Sequence, residues 1–299
     1  METLHEPKES FLRALLIGDV IGDPGLDILD RHLPSLLEEL QVDFTAANGE
    51  NAAAGFGLTA IELKRLFAAG IDVVTSGNHI WEKREFWPVL DSEERILRPF
   101  NYPEGSPGKG FVKINKQSKD VNVLWVVLNL QGREHMSPLD CPFKAYDHFE
   151  RELGGNALKL ASLLDTDGKL PGSFQEKPII LVDFHAESTK EKEALAYYLD
   201  GRADLVAGTH THVQTADERI LPGGTAYITD LGMTGCLDSI IGMNPEVCID
   251  RVIKQVPYRM EVAVPKPGCR LGIQGVIVDF DKETRKALSV KRLTKEYLL

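Results

Sequence analysis

The stretch Leu12-Arg13-Ala14-Leu15-Leu16-Ile17-Gly18-Asp19 decides the fold class, because an apolar run that stops at Gly-Asp reads as a buried strand feeding a loop. The arrangement recurs four more times. Residues 42–47 end in Asn48-Gly49-Glu50-Asn51, and residues 71–75 end in Ser76-Gly77-Asn78-His79. Residues 179–184 run into His185, and residues 203–207 into Gly208-Thr209-His210-Thr211-His212. Helical patterns lie between these runs. Residues 26–40 carry apolar side chains at helical spacing, and Pro34 is expected to break, kink or restart that helix. Thr59-Ala60-Ile61-Glu62 is a capping-box pattern opening a helix that stops at Gly70, and Ser188 with Glu191 repeats it before a helix over 188–199. Strand, polar loop, helix, strand is the order of a layered α/β protein.

The rest of the chain is less regular. Residues 121–130 read as a strongly apolar strand, and 146–164 as a helix with a weak point at Gly154-Gly155. A Gly/Pro-rich loop is expected over 165–177, a short strand over 227–229, and strands separated by turns over 258–293. There are no repeats and no linker long enough to demand a second unit. The expected organisation is therefore a flexible tail over 1–10 and one domain over 11–299.

Composition narrows the classes. With 45 acidic residues against 34 basic ones the formal charge is −11, which argues against a protein that grips a long nucleic-acid backbone by releasing counterions. Lys113, Lys116 and Lys119 form the densest basic cluster and read as a solvated hairpin. No apolar run approaches the roughly 20 residues of a membrane helix, and the first ten residues carry no apolar signal segment. Cys141, Cys236, Cys248 and Cys269 are widely spaced with no C-x-x-C pair, so reduced cysteines in a cytoplasmic protein are expected.

Chemistry gathers at the strand exits, where α/β folds collect their ligands. Taken singly, Asp19 could be a turn residue, Glu50-Asn51 a loop pair bonded to backbone, and His185 a satisfied core histidine. His210 and His212 form an i, i+2 pair whose rings project to one side of an extended backbone. Two carboxylates, two asparagines and three histidines together suit a borderline metal such as Mn, Fe, Zn or Co, and seven groups suffice for two ions. No cysteine takes part, which argues against structural zinc. There is no phosphate-binding G-x-x-x-x-G-K-[ST], no G-x-S-x-G elbow, and no G-x-G-x-x-G after the first strand. Asn129, Gly132 and Arg133 sit on a further strand exit, where substrate contact and a structural role are equally open readings.

The order Gly18-Asp19, Gly49-Glu50-Asn51, Gly77-Asn78-His79, His185 and Gly208-Thr209-His210-Thr211-His212 resembles the calcineurin-like metallophosphoesterases. More narrowly the chain is similar to the YmdB-type family, bacterial phosphodiesterases active on cyclic nucleotides. GDVIGDPG, NGENAAAGFGLT, SGNHIWEK, VDFHAEST and GTHTHVQTADERILPGGTAYITDLGMTG carry that resemblance, which covers most of 12–243. It implies a four-layer α/β/β/α sandwich with two divalent or transition metals, Fe or Mn first, with Zn, Co or Mg as alternatives. One metal would be held by Asp19, Glu50, Asn51 and His212. The other would share Glu50 and add Asn78, His185 and His210. A bridging hydroxide would attack phosphorus in line, with His79 as general acid for the departing alkoxide. The implied substrate is a small phosphodiester, a 2′,3′-cyclic nucleotide in the first place. A phosphomonoesterase or nuclease on the same metals, or a metal-binding regulatory or scaffold protein, are the alternatives.

Departures from the broad pattern are specific. Ile21 stands where a second histidine is usual, and Asn51 can replace it through its amide oxygen. Ile80 and Trp81 follow His79 where an acidic residue is common, so a carboxylate orienting the imidazole must come from elsewhere, with Glu82 a candidate. Cys236 stands where proline is more usual, and residues 151–177 look longer than is typical. His5, His32, His135 and His148 fall outside the pattern. No membrane partner is expected. Self-association is compatible with the apolar C-terminal strands.

Overall fold

The computed structural model describes residues 11–161 and 177–299; the expected tail over 1–10, and 162–176 within the expected loop and long segment, lie outside them. The chain opens with strand β1 (Phe11–Ile17), β2 (Asp19–Val20), helix α1 (Gly22–Glu39), β3 (Phe44–Asn48), α2 (Ala60–Ala68) and β4 (Val73–Thr75). Then follow α3 (Trp87–Ser92), β5 (Phe111–Ser118), β6 (Val121–Gln131) and α4 (Pro142–Ala161). The alternation resumes with β7 (Ile179–His185), α5 (Thr189–Tyr198), β8 (Leu205–Thr209), β9 (Arg219–Ile220) and β10 (Ala226–Ile228). It ends with β11 (Met233–Cys236), α6 (Pro245–Lys254), β12 (Arg270–Asp281) and β13 (Ala287–Leu298).

Two sheets form, in the orders β2-β11-β12-β1-β3-β4 and β5-β6-β7-β8-β10-β9, with β13 added along β12. β1, β3 and β4 run parallel, as do β6, β7, β8 and β10. Strand alternation explains the layering. On β1, Leu12, Ala14 and Leu16 face the other sheet while Leu15 and Ile17 face helices. On β6, Val123, Trp125 and Val127 point inward, and Val126, Leu128 and Leu130 meet the second helix layer. Trp125 stacks on Phe44 at 4.8 Å, joining the sheets. Helices α1 and α2 cover one sheet, and α4 and α5 the other. The result is four layers, α/β/β/α, with a buried cluster at each of the three interfaces.

Two helix expectations change. α1 runs through Pro34 without ending. Pro34 lies on the exposed face, so the carbonyl its ring deprives of a donor reaches water, while Leu26, Leu29, Leu33 and Leu36 keep the inner face packed. At α2 the Thr59–Glu62 capping box forms as expected. At α5, Ser188 caps Glu191 N at 3.2 Å, but the Glu191 carboxylate does not return to Ser188. It accepts instead from the backbone N–H groups of Arg133 and Glu134. Of the lysine cluster, Lys116 is tied to Asp72 at 2.7 Å.

Candidate metal centre

Parallel strands from both sheets end at one place. β1 leads into Asp19, β3 into Glu50 and Asn51, and β4 into Asn78 and His79. From the opposite sheet β7 ends on His185, and β8 runs into His210 and His212. Asp19, Glu50, Asn51 and His185 are buried, at 0–2 % exposure. Buried polar groups of this kind need partners.

His185 Nε2 is the convergence point. It lies 3.0 Å from Glu50 Oε1, 3.1 Å from Asn78 Oδ1 and 3.0 Å from His210 Nδ1. One N–H cannot serve three acceptors; a cation among these lone pairs can. Ligand atoms of Glu50, His185 and His210 all lie within 4.8 Å of one another. A second set of unmatched acceptors adjoins it. Asp19 Oδ1 and Asn51 Oδ1 are buried with no hydrogen-bond partner, and His212 Nε2 is 3.7 Å from Asp19 Oδ1. Asn51 Nδ2 donates to Gly55 O at 2.9 Å, which fixes the amide with its oxygen free.

Each histidine is anchored by its other nitrogen, the arrangement that orients imidazole toward a metal. His185 Nδ1 meets Thr209 Oγ1 at 3.0 Å, His210 Nε2 meets Glu187 at 3.2 Å, and His212 Nδ1 meets Ile241 O at 2.9 Å. His210 and His212 adopt φ of 103° and 63°, left-handed values that cost energy outside glycine and so mark a loop held for its side chains. Orphaned oxygens, converging lone pairs and anchored imidazoles fit the metal chemistry expected of these residues.

Electrostatics agree. Burial raises the Asp19 carboxyl to about 6, against the opposing pull of His212 and His185. Burial also works against ionised Glu50, but His185 and the His79 backbone N–H hold it down at about 2. His185, which burial would lower, is lifted to about 9 by Glu50 and then Asp19. His210 is depressed to about 3 by burial and by the charge on His185. The pocket thus wants one positive charge beside Glu50.

His79 stands at the rim. Its backbone N–H donates to Glu50 Oε2 at 2.9 Å, and its ring lies edge-on to Phe56 at 5.0 Å. Nδ1 is 3.4 Å from Glu82 Oε1, the candidate carboxylate for orienting the ring. The histidines His32 and His148 lie elsewhere, stacked on Tyr297 and Phe100.

Asn129 is not a pocket residue. It is fully buried, its Oδ1 accepts from Ser76 N at 3.0 Å, and its Nδ2 faces Asp183 O, so it braces β6 against the β4 exit. Arg133 does lie on an exposed rim, where a cavity of about 570 Å³ is lined by Arg133, Met136, Phe143 and Lys190. Gly132 N donates to His185 O at 2.9 Å, so that rim shares backbone with the centre.

Several supporting residues escape motif reading. Asp183, buried within β7, accepts from Thr75 Oγ1, from Asn48 Nδ2 at 3.3 Å and from Thr209 Oγ1 at 2.7 Å. A carboxylate inside the apolar run 179–184 was the available signal. Gly77 is required sterically, since a Cβ there would overlap the His185 ring. Gly77→Ala is therefore expected to lower metal affinity about 10- to 100-fold, read by competition with a fluorescent chelator. Unchanged affinity would mean that the ring position does not matter.

A model of the YmdB-like protein family matches residues 15–293. The chain is 43% identical over 282 residues to the 2′,3′-cyclic-nucleotide 2′-phosphodiesterase of Bacillus subtilis (strain 168), covering 94% of this chain and 96% of that protein. Among solved structures, a hypothetical protein from Thermus thermophilus superposes with a TM-score of 0.80 at 37% identity, covering 95% of this chain and 99% of that one. A novel phosphatase from Mycoplasma pneumoniae gives 0.79 at 30% identity, covering 96% and 94%. The four-layer arrangement is that of the calcineurin-like phosphoesterases.

Proposed function

We propose, for a chain that belongs to the YmdB-like protein family, hydrolysis of 2′,3′-cyclic nucleotides by a metal-dependent phosphodiesterase reaction. The observation that carries this reading is the convergence of Glu50, Asn78 and His210 on His185 Nε2 beside a rim histidine. The Bacillus relative supports the substrate class. Asp19, Glu50, Asn51 and His212 would hold one ion, and Glu50, Asn78, His185 and His210 the other, with Fe or Mn as the first candidates. Bound there, the ions would supply Lewis acidity, a nucleophile at neutral pH and neutralisation of the phosphate charge.

The protein's own groups do the rest. Glu50 ties the two halves of the site together, because its side chain meets His185 from one sheet and the His79 backbone from the other. His79 holds a proton on Nε2 while Glu82 faces Nδ1, and delivers it to the departing ribose oxygen as the P–O bond breaks. Arg133 would meet the substrate from the neighbouring rim. Residues 11–299 act as one domain in this reading, since one buried cluster draws on both sheets. No helix of the described residues is long and apolar enough to cross a membrane.

Metal analysis joined to a panel of 2′,3′- and 3′,5′-cyclic nucleotides, short RNA and monoesters tests the proposal. Metal-loaded protein should prefer the 2′,3′-cyclic substrate, and a stronger preference for monoesters would replace it with a phosphatase. His79→Ala should reduce kcat by about 10²- to 10⁴-fold with metal content unchanged. Wild-type kcat in that variant would remove His79 from the chemistry.

A further inference from the structure

A departing ribose oxygen keeps the sugar and the base with it. In a 2′,3′-cyclic nucleotide that oxygen is O2′ or O3′, on a carbon one or two bonds from C1′, the atom that carries the base. Sugar and base therefore stand on the side of the group that protonates the oxygen, which is His79 in the reading above. The aromatic ring against His79 is Phe56, with ring centres 5.0 Å apart and planes at 78°. Trp81, the other aromatic side chain of the His79 turn, is taken up elsewhere. Its ring lies 4.3 Å from Tyr102, and its Nε1 donates to Pro107 O at 3.3 Å.

A tight loop displays Phe56. The flanking residues Gly55 and Gly57 adopt φ of 88° and 81°, values that favour glycine. Asn51 Nδ2 donates to Gly55 O at 2.9 Å, and Ala53 N donates to Gly57 O at 3.0 Å. A Cβ on Gly57 would come within 3.1 Å of Glu82 Cβ, so the loop is seated directly against the turn that carries His79. Phe56 itself packs on the small cluster of Ile21, Met233, Met243 and Cys248 and remains partly exposed. A ring anchored in this way loses little freedom when a ligand settles on it.

We propose, resting on the cyclic-nucleotide reading of the site, that Phe56 is its base-binding residue, the ring on which the nucleobase stacks while His79 meets the ribose oxygen. One base stacked on one aromatic ring strengthens binding about 5- to 150-fold. A stack reads the area of a base and not its edge, so all four bases should be accepted, with purines held more tightly than pyrimidines. Asn51 links this platform to the metal centre, because its amide nitrogen fixes the loop while its oxygen is left for an ion.

Steady-state kinetics on metal-loaded protein test the proposal, with adenosine 2′,3′-cyclic phosphate and with glycerol 1,2-cyclic phosphate, which has the same phosphate ring and no base. Phe56→Ala should raise KM for the nucleotide by about 5- to 150-fold more than KM for the baseless diester, and Phe56→Tyr should restore the difference. Phe56→Leu keeps an apolar side chain on the cluster, so it should fold and still lose most of the discrimination. Calorimetry with adenosine 3′-monophosphate, which needs no turnover, should show the same weakening in Phe56→Ala. Equal effects on the two diesters would make Phe56 a support of His79 and overturn the proposal, as would a Leu variant that binds the nucleotide like wild type. Hydrolysis of both diesters with equal effects takes down the proposal alone, whereas hydrolysis of neither takes down the phosphodiesterase reading and the proposal together.

Discussion

Glu50→Gln should lower turnover of the cyclic nucleotide by at least about 10³-fold, about 4 kcal/mol of transition-state stabilisation, and leave the purified protein depleted of metal. The substitution keeps the size of the side chain and removes its charge. Glu50 is 1 % exposed and its two oxygens have different duties, one on His185 Nε2 and one on the His79 N–H. An amide can serve one of these as acceptor but must turn its NH₂ toward the other. Two divalent ions beside one remaining carboxylate, Asp19, would also be poorly compensated. Glu82→Gln is the contrast, because Glu82 is half-exposed and meets the His79 ring through one oxygen. Its effect should stay below about 10-fold, at the lower edge of what losing an orienting partner costs. Elemental analysis and kcat on the same preparations decide the matter: full metal content and wild-type turnover in Glu50→Gln would end the assignment of Glu50 as the shared ligand.

The largest stability effect is expected away from the chemistry. Lys192 and Asp230 form an ion pair at 2.7 Å with both side chains about 1 % exposed. Removing one member of such a pair strands the other charge in the interior, at about 3–5 kcal/mol. Lys192→Met should therefore lower the melting temperature on the order of 10 °C. Asp230 cannot simply relax, because it also accepts from Thr211 N at 3.2 Å and Gly232 N at 2.9 Å. The pair lies under the loop that carries His210 and His212, and the Lys192 stem closes on Gly208. Adding Asp230→Asn to Lys192→Met removes the stranded charge but keeps an acceptor for only one of those two N–H groups, which bond to different carboxylate oxygens, so only part of the loss should return. Differential scanning calorimetry of the four proteins in this cycle reads the coupling directly. A single variant that melts within 1 °C of wild type, a margin of roughly 0.5 kcal/mol, would show that the pair contributes no net stability.

The layered fold and the metal-centre candidates were legible because strand exits in an α/β protein are written locally. An apolar run followed by Gly and a polar residue names its own loop, and the loops at 18–19, 49–51, 77–79 and 208–212 meet at one end of the sandwich. Contacts between distant segments were not legible. Asn129 resembled a rim residue because it ends a strand, yet its amide is spent between Ser76 N and Asp183 O, partners 53 and 54 residues away. Glu191 matched a capping box by spacing, but the stronger claim came from two N–H groups at 133 and 134. Pro34 carries a strong local signal and was overruled by the buried face of the helix around it. Local spacing reports what a residue can do; long-range packing selects which of those options it does.

Asp183 has a consequence for how ions come and go. Its carboxylate joins Asn48 and Thr75 of one sheet to Thr209 of the other, directly below the ligand atoms. Separating the sheets would break those hydrogen bonds and expose the apolar cluster around them, so spreading them is close to global unfolding. Traffic is left to the mouth, where His210, His212 and Asn78 are the less buried of the candidate ligands, the two histidines at 24% and 8% side-chain exposure. A chelator should consequently strip the protein at a rate set by movement of the 208–212 loop and independent of chelator concentration once that is high. The centre would then behave as a kinetic trap, retaining whichever ion it first encountered long after the surrounding supply had changed.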